Sequence, residues 1–154
     1  MIYLAVKLPP IEKIHEAYSA IADKRIEMKE EEAEVSSSDL SKKYLVTWKN
    51  DTYSSNDNAS YWQGYLGYPI IAVLMLQNKL SLDKQIADYF KAIPWKKLNT
   101  QYKNNFSEAV KYIMEDFKTK EIDCDKINAE INKVYQEIGQ LTIKLKRSSI
   151  RPPK

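Results

Sequence analysis

Ile127, Ile131, Val134, Ile138, Leu141 and Leu145 recur at intervals of four, three, four, three and four residues. That alternation draws one narrow apolar stripe on a helix and nothing coherent on a strand. It predicts a helix over residues 125–147, capped by Asp123 or Asp125, with a basic tail over 148–154 expected to be disordered. A weaker version opens the chain. Ile11, Ile14, Tyr18, Ile21 and Met28 follow a similar spacing, interrupted by Arg25. They predict an acidic amphipathic helix over residues 10–35, entered through Pro9-Pro10. Seams this narrow are completed by one facing helix, either each other or the same helices of a second copy, so a homodimer is expected.

Between these helices the run Ile70 to Leu76 is apolar on every side, which predicts a central helix opened by Pro69. Ser81 is read as the cap of the next helix, Pro94 as the start of a turn carrying Trp95 and Leu98, and Thr100 as a cap before Phe106. Residues 61–118 are thus expected to form a compact helical core. Residues 50–60, nearly all Asn, Asp, Ser and Thr, read as a polar loop. Residues 40–49 are ambiguous. Leu40, Tyr44 and Trp48 suit a helix, while Tyr44 to Trp48 is rich enough in strand formers to pair with residues 2–7; helix is the reading taken. Only 3 glycines occur in 154 residues, which counts against a turn-rich β fold. The expectation is a single all-α domain over residues 1–154: a bundle of five to six helices with long amphipathic terminal helices, and at most a minor short β pairing near the N-terminus.

The net charge of +3 is unevenly spread. Residues 1–40 hold five basic against nine acidic side chains, and residues 41–120 hold twelve against seven. An acidic arm on a basic body suits a polyanionic partner without requiring one. One cysteine, Cys124, and one histidine, His15, rule out a disulfide and a His- or Cys-rich metal site. Cys124 lies between two aspartates, a setting that disfavours a thiolate. The sequence has no glycine-rich phosphate loop. The Glu30–Glu34 run reads as a solvated surface rather than a metal site, and no cofactor is expected. The start of the chain is too short in apolar residues for a signal peptide, and no run is long enough for a bilayer, so a cytoplasmic protein without membrane contact is expected.

Two features carry functional interest. Tyr61, Tyr65 and Tyr68 recur at helical spacing beside Trp62, a stripe that could stack bases or sugars but reads better as core. Residues 81–105 have the rhythm of a helix-turn-helix, with Lys84 on the first helix and Lys96, Lys97, Thr100, Gln101, Lys103 and Asn104 on the second. Those side chains suit phosphate and base-edge contacts. The leading expectation is a non-enzymatic helical interaction or assembly protein that self-associates. The alternative is a DNA- or RNA-binding protein using residues 81–105. A carboxylate enzyme built around Glu115 and Asp116 stands last, for want of a perturbed partner group.

Overall fold

A computed structural model describes residues 7–154, and it is not an all-α bundle. Helices take 47% of the chain and strands 16%, the strands forming one five-stranded mixed sheet. In chain order the elements are α1 (Glu12–Ala22), β1 (Ile26–Met28), β2 (Glu32–Ser36), β3 (Lys43–Lys49), β4 (Thr52–Ser55), a π-helical turn (Ala59–Gln63), α2 (Tyr68–Leu76), α3 (Lys84–Tyr89), α4 (Trp95–Gln101), α5 (Phe106–Thr119), α6 (Cys124–Gly139) and β5 (Lys144–Leu145). The sheet order is β1-β2-β3-β4-β5, antiparallel throughout except for the parallel β4–β5 pair.

The helix expected over 10–35 stops at Ala22. Lys24 turns left-handed (φ 55°) and the chain re-enters as a hairpin. Glu32-Ala33-Glu34-Val35 alternates acid and apolar, so as a strand it sends Ala33 and Val35 into the core and the glutamates outward. A helix would have stacked Glu30 on Glu34; the strand separates them. Residues 43–49, read as helix, form β3, because Val46 and its β-forming neighbours pair on both sides with β2 and β4. The supposed loop 50–60 contains β4, reached through a tight turn in which Asn50 takes the left-handed conformation (φ 56°). The possible pairing of residues 2–7 falls outside the described residues except at Lys7, which bridges Tyr65.

The C-terminal helix also ends early. After Gly139 the β-branched Thr142 and Ile143 lead into β5, which docks on β4 through Lys144 N–H to the Asp51 carbonyl at 2.7 Å. The tail expected to be disordered is held against the body by two side-chain bonds described below. Caps differ as well. Asp83 caps α3 and Asn105 caps α5, while Ser81 donates from N and Oγ to Glu137 on α6.

The core has a helix at its centre. All of Lys13 to Ala20 on α1 is buried. One side of α1 packs on α2, which lies on the inner face of β3 and β4; the others meet α3, α5 and α6. The seam of α6 (Ile127, Ile131, Val134, Ile138) is buried within the chain's own core, so its apolar face is already covered.

With so few glycines, left-handed helix ends fall to other residues. Glu121 ends α5 at φ 60°, with Ile122 N–H reaching back to the Phe117 carbonyl at 3.0 Å. The left-handed region costs an L-residue roughly 1–2 kcal/mol, part of which glycine returns to the flexible unfolded chain. Glu121 is exposed. Glu121→Gly is therefore expected to stabilise by about 0.5–1 kcal/mol, seen as a higher urea midpoint at unchanged slope.

His15 sits in the core edge-on to Phe90. Burial lowers its pKa to about 4, the carbonyls of Ile11 and Glu12 offsetting only part. The unfolded chain therefore takes up the proton first, and stability is lost as pH falls from about 6.5 towards 4. In His15→Leu this dependence disappears. The stability difference between the parent and this variant should fall by roughly 3 kcal/mol between pH 7 and pH 4, as read by chemical denaturation.

Candidate functional site

Burying a charged side chain is costly unless it is paired, so places where several are buried together are informative. Lys13, Glu16, Arg25 and Asp57 are each less than a tenth exposed. All four line one cleft of ≈ 450 Å³. Its walls are α1, the β2–β3 loop, Tyr44 of β3, the π-helical turn, and α4 with the segment after it.

Lys13 and Glu16 are three apart on α1 and so share a face. The Lys13 ammonium donates to Glu16 Oε2 at 3.1 Å and lies 3.8 Å from the ring centre of Phe106. The other oxygen, Oε1, accepts from Asn99 Nδ2 of α4 at 3.0 Å. Arg25 holds the corner where α1 gives way to β1. Its Nη1 donates to the Ser36 carbonyl at 2.6 Å, its Nε faces Asp23 at 3.4 Å, and its guanidinium lies 5.9 Å from the ring centre of Tyr68.

Asp57 organises the opposite wall. One carboxylate oxygen accepts from Ser55 Oγ and the other from Ser60 N–H at 3.0 Å, while Ser60 Oγ accepts from Gly67 N–H at 3.0 Å. The π-helical turn is thus wound around a carboxylate. Gly67 is required by space: a Cβ there would lie 2.0 Å from Asp57 Oδ2.

Three phenols complete the walls. Burial pushes Tyr44 up to about 12, raises Tyr68 further, and raises Tyr65. All three are neutral hydroxyls at physiological pH, with ring faces and edges available beside charged groups. Tyr44 and Tyr68 meet edge-to-face at 6.4 Å.

Of the residues expected to contact nucleic acid, Lys96, Thr100 and Asn104 line this cleft, whereas Lys97, Gln101 and Lys103 are exposed outside it and Lys84 lies apart on α3. Trp95 and Leu98 anchor α4 in the core. Trp95 Nε1 donates to Ser19 Oγ at 2.7 Å, and Ser19 Oγ donates to the Phe90 carbonyl at 2.6 Å. Lys96 is committed to the β2–β3 loop, with Nζ 2.6 Å from Ser41 Oγ and 3.2 Å from Asp39 Oδ2. Asp39 also accepts from Ser37 and Ser41, hydrogen bonds that hold its carboxyl well below the usual range. The tyrosine stripe does not exist as one face. Tyr61 belongs to the π-helical turn, Tyr65 to the segment after it and Tyr68 to α2, yet Tyr65 and Tyr68 reach the cleft together with Trp62. Charge clustering pointed to α4; Lys13, Glu16, Tyr44 and Asp57 carried no such signal, and Arg25 only that of breaking a seam. His15 and Cys124 do not line the cleft. Among the described residues no group of three or more His, Cys, Asp or Glu could hold a metal ion, and no helix is long and apolar enough to cross a membrane.

Fold and site together define an α+β protein with a polar, aromatic-walled cleft between a buried helix and a sheet-borne loop. The chain belongs to the family described as uncharacterised conserved protein UCP014422, whose match covers residues 6–144 and so every cleft residue named above. No curated protein and no solved structure matches it.

Gly67→Ala is expected to lower stability by roughly 2–4 kcal/mol, because the methyl has to displace a buried carboxylate. In an Asp57→Ala background the same change should cost far less. A thermal-denaturation double-mutant cycle measures that coupling, and simple additivity would show that the two residues do not press on one another.

Proposed function

We propose that the protein is a binding protein whose cleft takes a small anionic ligand bearing a ring, nucleotide by class. The observation carrying this reading is the gathering of Lys13, Glu16, Arg25 and Asp57, all buried, with the rings of Tyr44, Tyr65, Tyr68 and Trp62 around one open cleft. Its volume of ≈ 450 Å³ lies within the range of roughly 300–1,000 Å³ of small-molecule sites. Basic groups suit an anion, and aromatic faces suit a flat ring. Lys13 is neutralised by Glu16 and the phenols are held protonated, an arrangement that favours holding a ligand over moving protons. A cytoplasmic setting belongs to the same proposal and is supported by the buried free thiol of Cys124. The expected self-association finds less support, because Ile14 and Tyr18 of α1 and Ile127, Ile131, Val134 and Ile138 of α6 are packed inside the chain.

The test is a titration with adenosine monophosphate, read by tryptophan fluorescence. Trp62 and Trp95 line the cleft and report on it directly. Saturable quenching is expected, weakened about tenfold or more in Thr100→Phe, where an exposed residue on the cleft wall is enlarged at unchanged melting temperature. Absence of saturation, or a response indifferent to Thr100→Phe, would sink the reading. Steeply salt-dependent binding of duplex DNA that is lost on changing Lys97 and Lys103, which lie outside the cleft, would favour the nucleic-acid alternative instead.

A further inference from the structure

The cations of the cleft are not equivalent. Lys13 is paired with Glu16, Arg25 with Asp23 and Lys96 with Asp39. Lys42, half-buried on the same wall, has no carboxylate within 4.0 Å among the described residues. Its ammonium donates instead to a neutral group, the backbone carbonyl of Pro153, at 3.4 Å. That is the long end of the hydrogen-bond range, and such a bond is weaker than the same ammonium would make to an anion.

Pro153 belongs to the segment that follows β5. The last backbone bond tying this segment to the sheet is Lys146 N–H to the Tyr53 carbonyl at 2.8 Å. Beyond it, Arg147 lies over the rings of Tyr61 and Trp62 at 5.0 and 5.7 Å, the Arg151 carbonyl accepts from Asn56 Nδ2 at 3.2 Å, and Pro153 meets Lys42. Pro152 and Pro153 have no N–H to donate, so this stretch cannot extend the sheet and stays on side-chain holds. Two of those holds, Lys42 and Trp62, are themselves walls of the cleft, gripped from outside.

We propose that Lys42 is the residue that receives the anionic group of the ligand, and that residues 150–154 compete with the ligand for it through the Pro153 carbonyl. The inference rests on the cleft reading given above. An anion in the cleft finds three cations already neutralised and one whose partner is a weak neutral acceptor, so Lys42 is the cation it displaces at least cost. Ligand and segment then oppose each other: each occupant of the ammonium lowers the affinity of the other by the same factor.

The experiment is a cycle of four full-fold proteins: the parent, a chain ending at Ser149, Lys42→Ala, and the two changes combined, each titrated with adenosine monophosphate and checked for an unchanged melting temperature. Removing residues 150–154 is expected to tighten binding about fivefold. Lys42→Ala should weaken it about tenfold, and in that background the truncation should change nothing. Inorganic phosphate should compete with the nucleotide in the parent and lose that effect in Lys42→Ala. Lys42→Gln, which keeps the stem and loses the charge, serves if the alanine variant fails to fold. Binding by the parent that ignores both changes overturns this inference and leaves the cleft reading standing. Binding by neither the parent nor the truncated chain overturns both.

Discussion

Everything in this molecule depends on burying α1 from all sides. A surface helix can turn its polar residues to water, but eight consecutive residues of α1 have no such outlet. Lys13, Glu16 and Ser19 must therefore find partners within the protein, and the partners they find set the architecture. Ser19 ties α1 to the α3–α4 turn through Phe90 and to α4 through Trp95. Glu16 reaches Asn99 on the next turn of α4. These contacts fix α4 against α1, and the gap left in front of them becomes the cleft. Had Glu16 and Ser19 been apolar, the two helices could have closed on one another and left no polar space between them.

The second wall is fastened by hydroxyl groups. Ser38 and Ser41 hold Lys96, Ser37 and Ser41 hold Asp39, and the Ser55 hydroxyl holds Asp57 together with the backbone N–H of Ser60. In sequence Ser55 and Ser60 lie in the stretch that reads as a polar loop, where serine is common. In the fold the bonds to Asp39 and Asp57 are local, two or three residues apart, while Ser38 and Ser41 tie the β2–β3 loop to α4, far along the chain. Ser38 to Lys96 alone spans 58 positions. No local pattern records a bond of that reach.

What local pattern did record was the axis of each helix more than its length. The intervals in α6 and the apolar run of α2 mark real helices, but both seams were followed too far. Met28 and Leu145 satisfy a helical count by coincidence, each standing on a strand. The better guide at residues 32–35 was the strict alternation of glutamate with Ala33 and Val35, a period of two hidden inside a run that looked like a charge cluster. Scarcity of glycine misled for a physical reason. Turns need left-handed residues, and among the described residues Asn50, Leu40, Lys24 and five other non-glycine residues supply them, accepting strain where a glycine-rich protein would have none. The site was legible where charge was exposed, at Lys96, Thr100 and Asn104, and illegible where charge was buried. Pattern reading assigns every Lys, Glu and Asp to solvent by default, so Lys13, Glu16 and Asp57 were invisible. Arg25 alone left a trace, as the residue that broke an apolar seam.

That trace has a wider meaning. Arg25 sits where α1 gives way to β1, bonded to Ser36 on β2 and lying over Tyr68 at the start of α2. It joins three elements at the rim of the cleft. A ligand drawing on the guanidinium would strengthen the same corner that stops α1 from running on as a helix, so occupancy of the cleft and integrity of the helix-to-sheet transition are linked through one side chain. Lys42 lies on the β2–β3 loop that begins just beyond Ser36, and its ammonium reaches a neutral acceptor, the Pro153 carbonyl, at 3.4 Å. Burial explains part of the division, since a cation enclosed at a junction, as Lys13 and Arg25 are, has to be paired before the fold can close. Of the two half-buried cations Lys96 is paired with Asp39 and Lys42 meets only a neutral carbonyl, so Lys42 is the one left to answer to what enters.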